Sequence, residues 1–360
     1  MRWPRLVLPA GLSLAMVFTT AVPPSPADPY IHQRRYAMGT VFEIVIYDDD
    51  LPRANAAARA ALDEAVRLDS LMSNYQPDSE LSRVNRSAHD EPVPISQELY
   101  QVIERSLFYS RISDGQFDIS VGPVVDLWKS ALAGESPPSE AEQAAALRCV
   151  GYQKIELLPP DRIQFHSDCM RLDLGGIGKG YAVDRMAELL KGRGIRRAYI
   201  DAGGSTIYAL GAPPKANGWT VRLRDPSGRL DPQIMLNNSS VSTSEQSAPS
   251  LLEGDGPGHI VVPGTGKPLE TRYAVSVQVA SATASDALST TLLLLGPRKG
   301  AAVVEALHEV SAIWIDSDGR RTVAGESAAF RLAGENRSAD APDLTERTRE
   351  PAKARKGLRP

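Results

Sequence analysis

Along most of the chain, hydrophobic and polar positions recur with recognisable periods. From Tyr36 to Tyr47 (YAMGTVFEIVIY) they alternate as in a half-buried strand, with Phe42, Ile44 and Ile46 on one face. The pattern then changes to helical spacing over NAAARAALDEAVRLDSLMS, where Ala61, Ala65, Leu68 and Met72 share one stripe. A polar stretch holding Asp78, Ser79, Glu80 and Asn85 reads as a loop. Ser96 is placed to cap a second helix carrying Leu99, Val102, Ile103 and Leu107, which Gly115 stops. GQFDISVGPVVDLW reads as an extended segment with a Gly-Pro break, and ESPPSEAEQAAAL as a loop leading into a short helix. YQKIELLPPDRIQFH predicts two strands joined at Pro159-Pro160-Asp161.

The second half continues in the same mixed manner. AVDRMAELLKGRGI is a helix ending at Gly192 or Gly194, and RRAYIDAGGSTIYALG is a strand interrupted by a glycine pair. WTVRLRDP, QIMLNNSSVSTS and YAVSVQVAS read as strands, and GHIVVPGTGKPLE as a turn-rich loop. SDALSTTLLLLG opens a helix, GPRKGAAVVEALHE is another, and SAIWIDSDG is the last strand with its turn. Strands and helices mix without strict β-α-β alternation, which predicts an α+β (mixed α/β) fold.

The two ends differ from this pattern. Met1 to Arg5 carries two arginines, Leu6 to Phe18 is a short apolar run broken by Pro9 and Gly11, and small residues surround Ala27. That three-part layout is expected of a secretory signal over residues 1–27, with no cysteine at the junction to carry a lipid and no later run long enough to span a membrane. Residues 334–360 are charged and poor in large apolar groups, the composition of a disordered tail.

Composition narrows the partners. A formal net charge of -4 over 360 residues gives no broad basic surface, so nucleic acid is not expected. Cys149 and Cys169 flank the Pro-Pro hairpin, whose ends lie close together. The spacing suits a disulfide in an oxidising compartment and equally two buried thiols, and without histidines at ligand spacing a thiolate metal site is not expected.

RLDLGGIGKGYAVDRM, residues 171–186, sets four glycines and Lys179 between a strand and a helix. A Walker loop needs Ser or Thr after the lysine, and a dinucleotide fingerprint needs glycine where Tyr181 stands, so neither motif fits. Glycines leading into a helix N-terminus still let backbone N–H groups approach phosphate oxygens, to which Lys179 adds charge. The same residues also suit a plain turn with a solvated lysine.

In combination, YAMGTVFEI, LMSNYQPDSELSRVN, GQFDISVGPVVDLW, LDLGGIGKGYAVDRM, YIDAGGS, GHIVVPGTGKP and SDALSTTLLLLG occur in the order and approximate spacing of the ApbE family. The chain resembles that family of FAD:protein FMN transferases from about residue 34 to residue 330. The resemblance implies one ApbE-like catalytic domain over residues 28–333. It further implies an exported, periplasmic enzyme that uses Mg²⁺ to split FAD and attach FMN to a Ser or Thr hydroxyl of an exported target flavoprotein, releasing AMP.

Carried over by position, the resemblance makes Met38, Tyr75, Gln116, Phe117, Asp118, Asp173, Lys179 and Val261 contacts to FAD. It makes Gly176, Asp286, Ser289 and Thr290 the metal site, with Gly176 offering its carbonyl and Ser289 standing where some relatives have a carboxylate. Asp286 and Thr290 are four apart, so on a helix their oxygens face one side, as a hard cation requires. His259 and Lys179 are the candidates for catalytic roles, His259 as proton acceptor. Each has a local alternative: Met38 and Phe117 as core, Asp173 as a cap on the turn at Gly175, Asp286 as a helix-start residue, His259 as a loop residue. Two departures from the family pattern stand out, Val262 for an aspartate after His259 and SEQS (Ser244 to Ser247) for a Ser-Gly pair. Two alternatives stay open: an FAD pyrophosphatase giving FMN and AMP, whose site would look almost identical, and a flavin-binding protein without transfer, which Val262 favours.

Overall fold

A computed structural model of the chain describes residues 28–132, 136–246, 260–326 and 330–332. The expected leader over 1–27, the tail over 334–360 and His259 lie outside the described residues.

The chain opens with β1 (Tyr30–Ala37) and β2 (Thr40–Tyr47), paired antiparallel from Ala37↔Thr40 outward. The single strand expected from Tyr36 is therefore a hairpin, because Met38 (φ 49°) and Gly39 (φ 76°) form the positive-φ pair that a two-residue turn needs. Phe42, Ile44 and Ile46 do share a buried face. They pack under α1 (Leu51–Met72), capped by the Asp50 side chain and buried along Ala54, Ala58, Ala61, Ala65 and Leu68.

The polar stretch expected to be a loop is α2 (Glu80–Ser87), with Ser79 capping the Ser82 N–H and Leu81 and Val84 buried. One apolar pair three residues apart is enough to seat so short a helix. β3 (Val93–Pro94) and α3 (Gln97–Ile112) follow, the latter capped by Ser96 as expected. GQFDISVGPVVDLW also departs from the extended reading: Gly122-Pro123 opens α4 (Gly122–Leu132), since proline at a first helical turn gives up an N–H that has no partner there. α5 (Glu140–Arg148) starts on a Ser139–Glu142 capping box. β4 (Ile155–Leu158) and β5 (Arg162–Phe165) form the expected Pro-Pro hairpin, joined by β3 in a small sheet. The Cys149–Cys169 disulfide closes it, with Cα atoms 5.2 Å apart.

α6 (Gly178–Gly192) leads to β6 (Ala198–Ala202) and β7 (Thr206–Leu210), a hairpin turned at Gly203 and Gly204. β8 (Trp219–Arg222) and β9 (Pro232–Leu236) precede β10 (Ser239–Glu245). QIMLNNSSVSTS is thus two strands in different sheets, separated by Asn238 at φ 52°. Short β11 (Val261–Val262) and β12 (Lys267–Pro268) pair with each other, and β13 (Tyr273–Val279) runs into α7 (Ala282–Ala306), bent at Gly296-Pro297 where the two helical readings met. β14 (Ser311–Asp316) is not the last strand, because β15 (Arg321–Ala324) and β16 (Phe330–Leu332) come after it.

An eight-stranded antiparallel sheet, in the order β1-β2-β6-β7-β10-β13-β14-β15, organises these parts. α1, α6 and α7 cover one face and form the main core. The sheet β16-β9-β8 covers part of the other, over Tyr47, Tyr199, Ile207 and Ile313. The mixed α/β class expected from the sequence is the class found.

Candidate active site

A cleft of about 900 Å³ opens where the glycine loop, the turn at Gly203, the ends of β8 and β10 and the start of α7 converge. Its most constrained part is the junction of α6 with α7. Ile177 offers α6 no side-chain cap; instead the Gly180 N–H donates to Asp286 Oδ2 at 2.8 Å. In return Asp184 on α6 accepts from the N–H groups of Ala282 and Thr283 and from the hydroxyls of Ser281 and Thr283 at the start of α7. Each helix places a carboxylate at the positive end of the other. Such an approach requires glycine at 180, since a Cβ there would lie 2.2 Å from the Ala282 carbonyl oxygen and 2.6 Å from Asp286 Cβ.

Asp286 lies beyond the first turn of its own helix, whose start is capped by Ser281, the side chain accepting from the Ala284 N–H. It is only 4% exposed yet lines the cleft, and Thr206 Oγ1 donates to its Oδ1 at 3.2 Å. A carboxylate has about four acceptor sites, so these two donors leave room for a ligand. Thr290, one turn on, also lines the cleft. A Cβ built on Gly176 would sit 3.5 Å from Thr290 Oγ1 and 3.1 Å from Phe117, so the glycine lets the loop come close to α7. The structure thus brings Gly176, Asp286 and Thr290 together. Ser289 lies behind them, its hydroxyl donating to the Asp286 carbonyl and 2.8 Å from Ser244 Oγ.

The expected FAD contacts are brought together with one exception. Tyr75, Gln116, Phe117, Asp118, Asp173, Lys179 and Val261 all line the cleft. Met38 packs on the main core instead, and its neighbours Thr40 and Val41 take that wall. Asp173 does cap the turn, accepting from the Gly175 N–H at 2.7 Å, and Lys179 Nζ rests 3.5 Å from the Gly175 carbonyl. Burial pushes the Asp118 carboxyl above the usual carboxylate range, against the donors from Ser120 and Tyr152. The Asp173 N–H bonds the Ile119 carbonyl, which joins the GQFD segment to the glycine loop.

Several cleft residues carried no sequence signal that was read. Lys129 stands 4.7 Å over the Tyr75 ring. Burial would lower its ammonium pKa, but Tyr75, Asp173 and Asp126 outweigh that and raise it. Arg222 and Arg224 from the β8 region are paired with Asp231 and Glu245. Even with Lys129, Lys179 and these arginines, lining carboxylates outnumber lining cations two to one. Gln246, inside the departing SEQS segment, donates to the carbonyls of Ile260 and Leu269 and accepts from the Ile260 N–H, which fixes the backbone leading to Val261. Among the described residues no group of three or more His, Cys, Asp or Glu side chains could hold a metal, and no helix is long and apolar enough to cross a membrane.

The family model described as "ApbE family" matches residues 38–314. The chain belongs to the ApbE family. Its relatives include the FAD:protein FMN transferase of Treponema pallidum (strain Nichols), 31% identical over 307 residues that cover 79% of this chain and 83% of that one. The Escherichia coli (strain K12) protein of the same name is 32% identical over 273 residues, 71% of this chain and 76% of its own. Among solved structures, the flavin transferase ApbE from Vibrio cholerae superposes with a TM-score of 0.74 at 25% identity, covering 84% of this chain and 100% of that chain. The ApbE protein of Thermotoga maritima gives 0.73 at 26%, covering 82% and 97%. Every motif that suggested ApbE membership, apart from the part of GHIVVPGTGKP before Ile260, falls within the described residues, and the cleft gathers residues from most of them.

Proposed function

We infer that this chain is an FAD:protein FMN transferase that works with Mg²⁺ and attaches FMN to a Ser or Thr hydroxyl of an exported target protein. The observation that carries this reading is the convergence of Gly176, Lys179, Asp286 and Thr290 on one cleft of ApbE form. In this reaction the acceptor oxygen forms a bond to the FMN phosphorus, the diphosphate P–O bond breaks, AMP leaves, and the hydroxyl proton passes to a base.

The Thr290 hydroxyl, the Asp286 carboxylate and the Gly176 carbonyl, from residues that line one cleft, are the kinds of oxygen donor that a hard cation takes. Gly176, Asp286 and Thr290 would hold Mg²⁺, with Ser289 supporting them from behind. The ion would supply the positive charge that a diphosphate needs in a cleft rich in carboxylates. Lys179 adds a fixed charge beside the glycine loop, and Tyr75 offers a ring on which a flavin or adenine can stack. Phe117 and Val261 supply the apolar wall. His259, next in sequence to the Ile260 that Gln246 holds, is the candidate proton acceptor. Export follows from the leader pattern over 1–27 and is supported by the Cys149–Cys169 disulfide, a bond that persists in oxidising compartments.

The test is incubation of the purified protein with FAD, Mg²⁺ and a candidate acceptor domain, read by intact mass and by AMP release. Transfer adds the mass of FMN to the acceptor. Free FMN and AMP without a modified acceptor would instead make the chain a pyrophosphatase, and neither product would make it a binder. Asp286→Asn should lower transfer about a hundredfold or more, because it removes the one anion among the residues proposed to hold Mg²⁺, while the amide can still accept from Gly180.

A further inference from the structure

β10 is a central strand, yet its face toward α7 carries Ser240, Ser242 and Ser244 where such strands usually carry aliphatic residues. Two of them, with Thr206 of β7 and Ser285 of α7, form a closed hydroxyl path that ends on Asp286. Ser240 Oγ donates to the Ile207 carbonyl at 2.7 Å and lies 2.9 Å from Ser285 Oγ. Ser285 Oγ is 2.7 Å from Ser242 Oγ, Ser242 Oγ is 3.1 Å from Thr206 Oγ1, and Thr206 Oγ1 is 3.2 Å from Asp286 Oδ1.

Proton counting gives this path a direction. A hydroxyl has one proton to donate, and an ionised carboxylate has none. The Thr206 proton goes to Asp286, so the contact between Ser242 and Thr206 needs the Ser242 proton. The contact between Ser285 and Ser242 then needs the Ser285 proton, for which Ser240 Oγ at 2.9 Å, its own proton spent on Ile207, and the Ala282 carbonyl at 3.1 Å compete. The chain Ser242 to Thr206 to Asp286 is thus polarised toward the carboxylate, with Ser285 beside Ser242 at its start, and in a dry interior each donor strengthens the next. Ser242, Thr206 and Ser285 are at most 1% exposed, so water does not substitute for them.

We propose that Thr206 is a positioning residue for Asp286, and that the Ser285–Ser242 pair sets the Thr206 hydroxyl in its donating orientation. Gly180 fixes one carboxylate oxygen and Thr206 the other, so rotation of the carboxylate about its last bond is blocked from both sides. The remaining acceptor sites are left for the cleft that Asp286 lines together with Gly176 and Thr290. This rests on the transferase reading for its functional consequence, and on hydrogen-bond geometry alone for the orientation.

The experiment compares Thr206→Val and Thr206→Ser in the full chain. Two quantities are read: the Mg²⁺ concentration giving half-maximal FMN transfer, and the rise in melting temperature caused by Mg²⁺ alone, without FAD or acceptor. Partners behind a metal ligand typically change affinity by about 10–100-fold, so the valine variant should need about tenfold more Mg²⁺ in both measurements. The serine variant, which keeps the hydroxyl, should remain close to wild type. Equal Mg²⁺ requirements for wild type and a folded valine variant would overturn the proposal, as would equal impairment of serine and valine variants. Should Thr206→Val not fold, Ser242→Ala replaces it, with a several-fold shift in the same direction expected and none overturning the idea. If the wild-type chain transfers no FMN, the transferase reading fails, while the Mg²⁺ melting series still decides the role of Thr206.

Discussion

Two helices lie on the same face of the same sheet and share its apolar core, but they differ in the side chains that meet the strands beneath them. α1 meets β1 and β2 through Ala54, Ala58, Ala61, Ala65 and Leu68 against Phe42, Ile44 and Ile46, an apolar layer whose polar contacts, Gln33 with Asn55 and Arg35 with Asp63, lie at its exposed edge. α7 meets β10 through Ser285, Ser289 and Thr290 against Ser240, Ser242 and Ser244. Residues two apart on a strand and four apart on a helix rise by similar distances, which lets the two rows of hydroxyls meet in register. Apolar burial stabilises without fixing direction, whereas hydrogen-bonded hydroxyls fix the rotation of the helix and hence where Asp286 points. α6 packs against both helices, and it carries the glycine loop at its start.

The comparison breaks most severely at the α6–α7 junction. Gly180→Ala places a methyl group against the backbone of Ala282 and against Asp286 Cβ, neither of which is a flexible chain end. The two helices must separate, and both reciprocal caps weaken. A stability loss of about 3 kcal/mol or more is expected in urea unfolding, together with loss of transfer. A wild-type midpoint would mean that the junction adjusts and that its closeness is not a constraint.

The apolar layer should behave in the opposite way. Leu68 is fully buried, and Leu68→Ala should cost about 2–5 kcal/mol in the same unfolding measurement. At temperatures where the variant stays folded, its FAD affinity and its Mg²⁺ requirement should equal those of wild type. A shift in the Mg²⁺ requirement would show that the dry layer also orients the site.

This contrast explains what was legible in the sequence. The α1 stripe and the face of β2 could be read because apolar burial follows the period of the element. The family resemblance supplied Asp286, Thr290 and Gly176, and local reasoning alone favoured Asp286 as a helix-start residue. Its real partners, Gly180 and Thr206, are 106 and 80 positions away, a separation that no local window reveals. Asp184, the cap of α7, was hidden for the same reason. α2 and α4 were missed because polar residues and a Gly-Pro pair read as breaks, where Ser79 and Pro123 are helix starts. The serines of β10 did leave a signal, three small hydroxyls at every second position of a strand, with Ser285 and Ser289 four apart on a helix.

The gentlest test removes the rung of that hydroxyl row nearest the cleft. Ser244 Oγ lies 2.8 Å from Ser289 Oγ and 3.4 Å from Thr290 Oγ1, and unlike Thr206 it lines the cleft. In Ser244→Ala, Ser289 keeps its bond to the Asp286 carbonyl, and water can enter the space beside Thr290. The loss of stability should therefore be about 1 kcal/mol, the net worth of one ordinary hydrogen bond. The Mg²⁺ requirement should rise by less than in Thr206→Val, since the proposed neutral ligand Thr290 loses a neighbour while the Asp286 carboxylate keeps both of its donors. An effect on Mg²⁺ larger than that of Thr206→Val would reverse the order and move the controlling contact from Asp286 to Thr290.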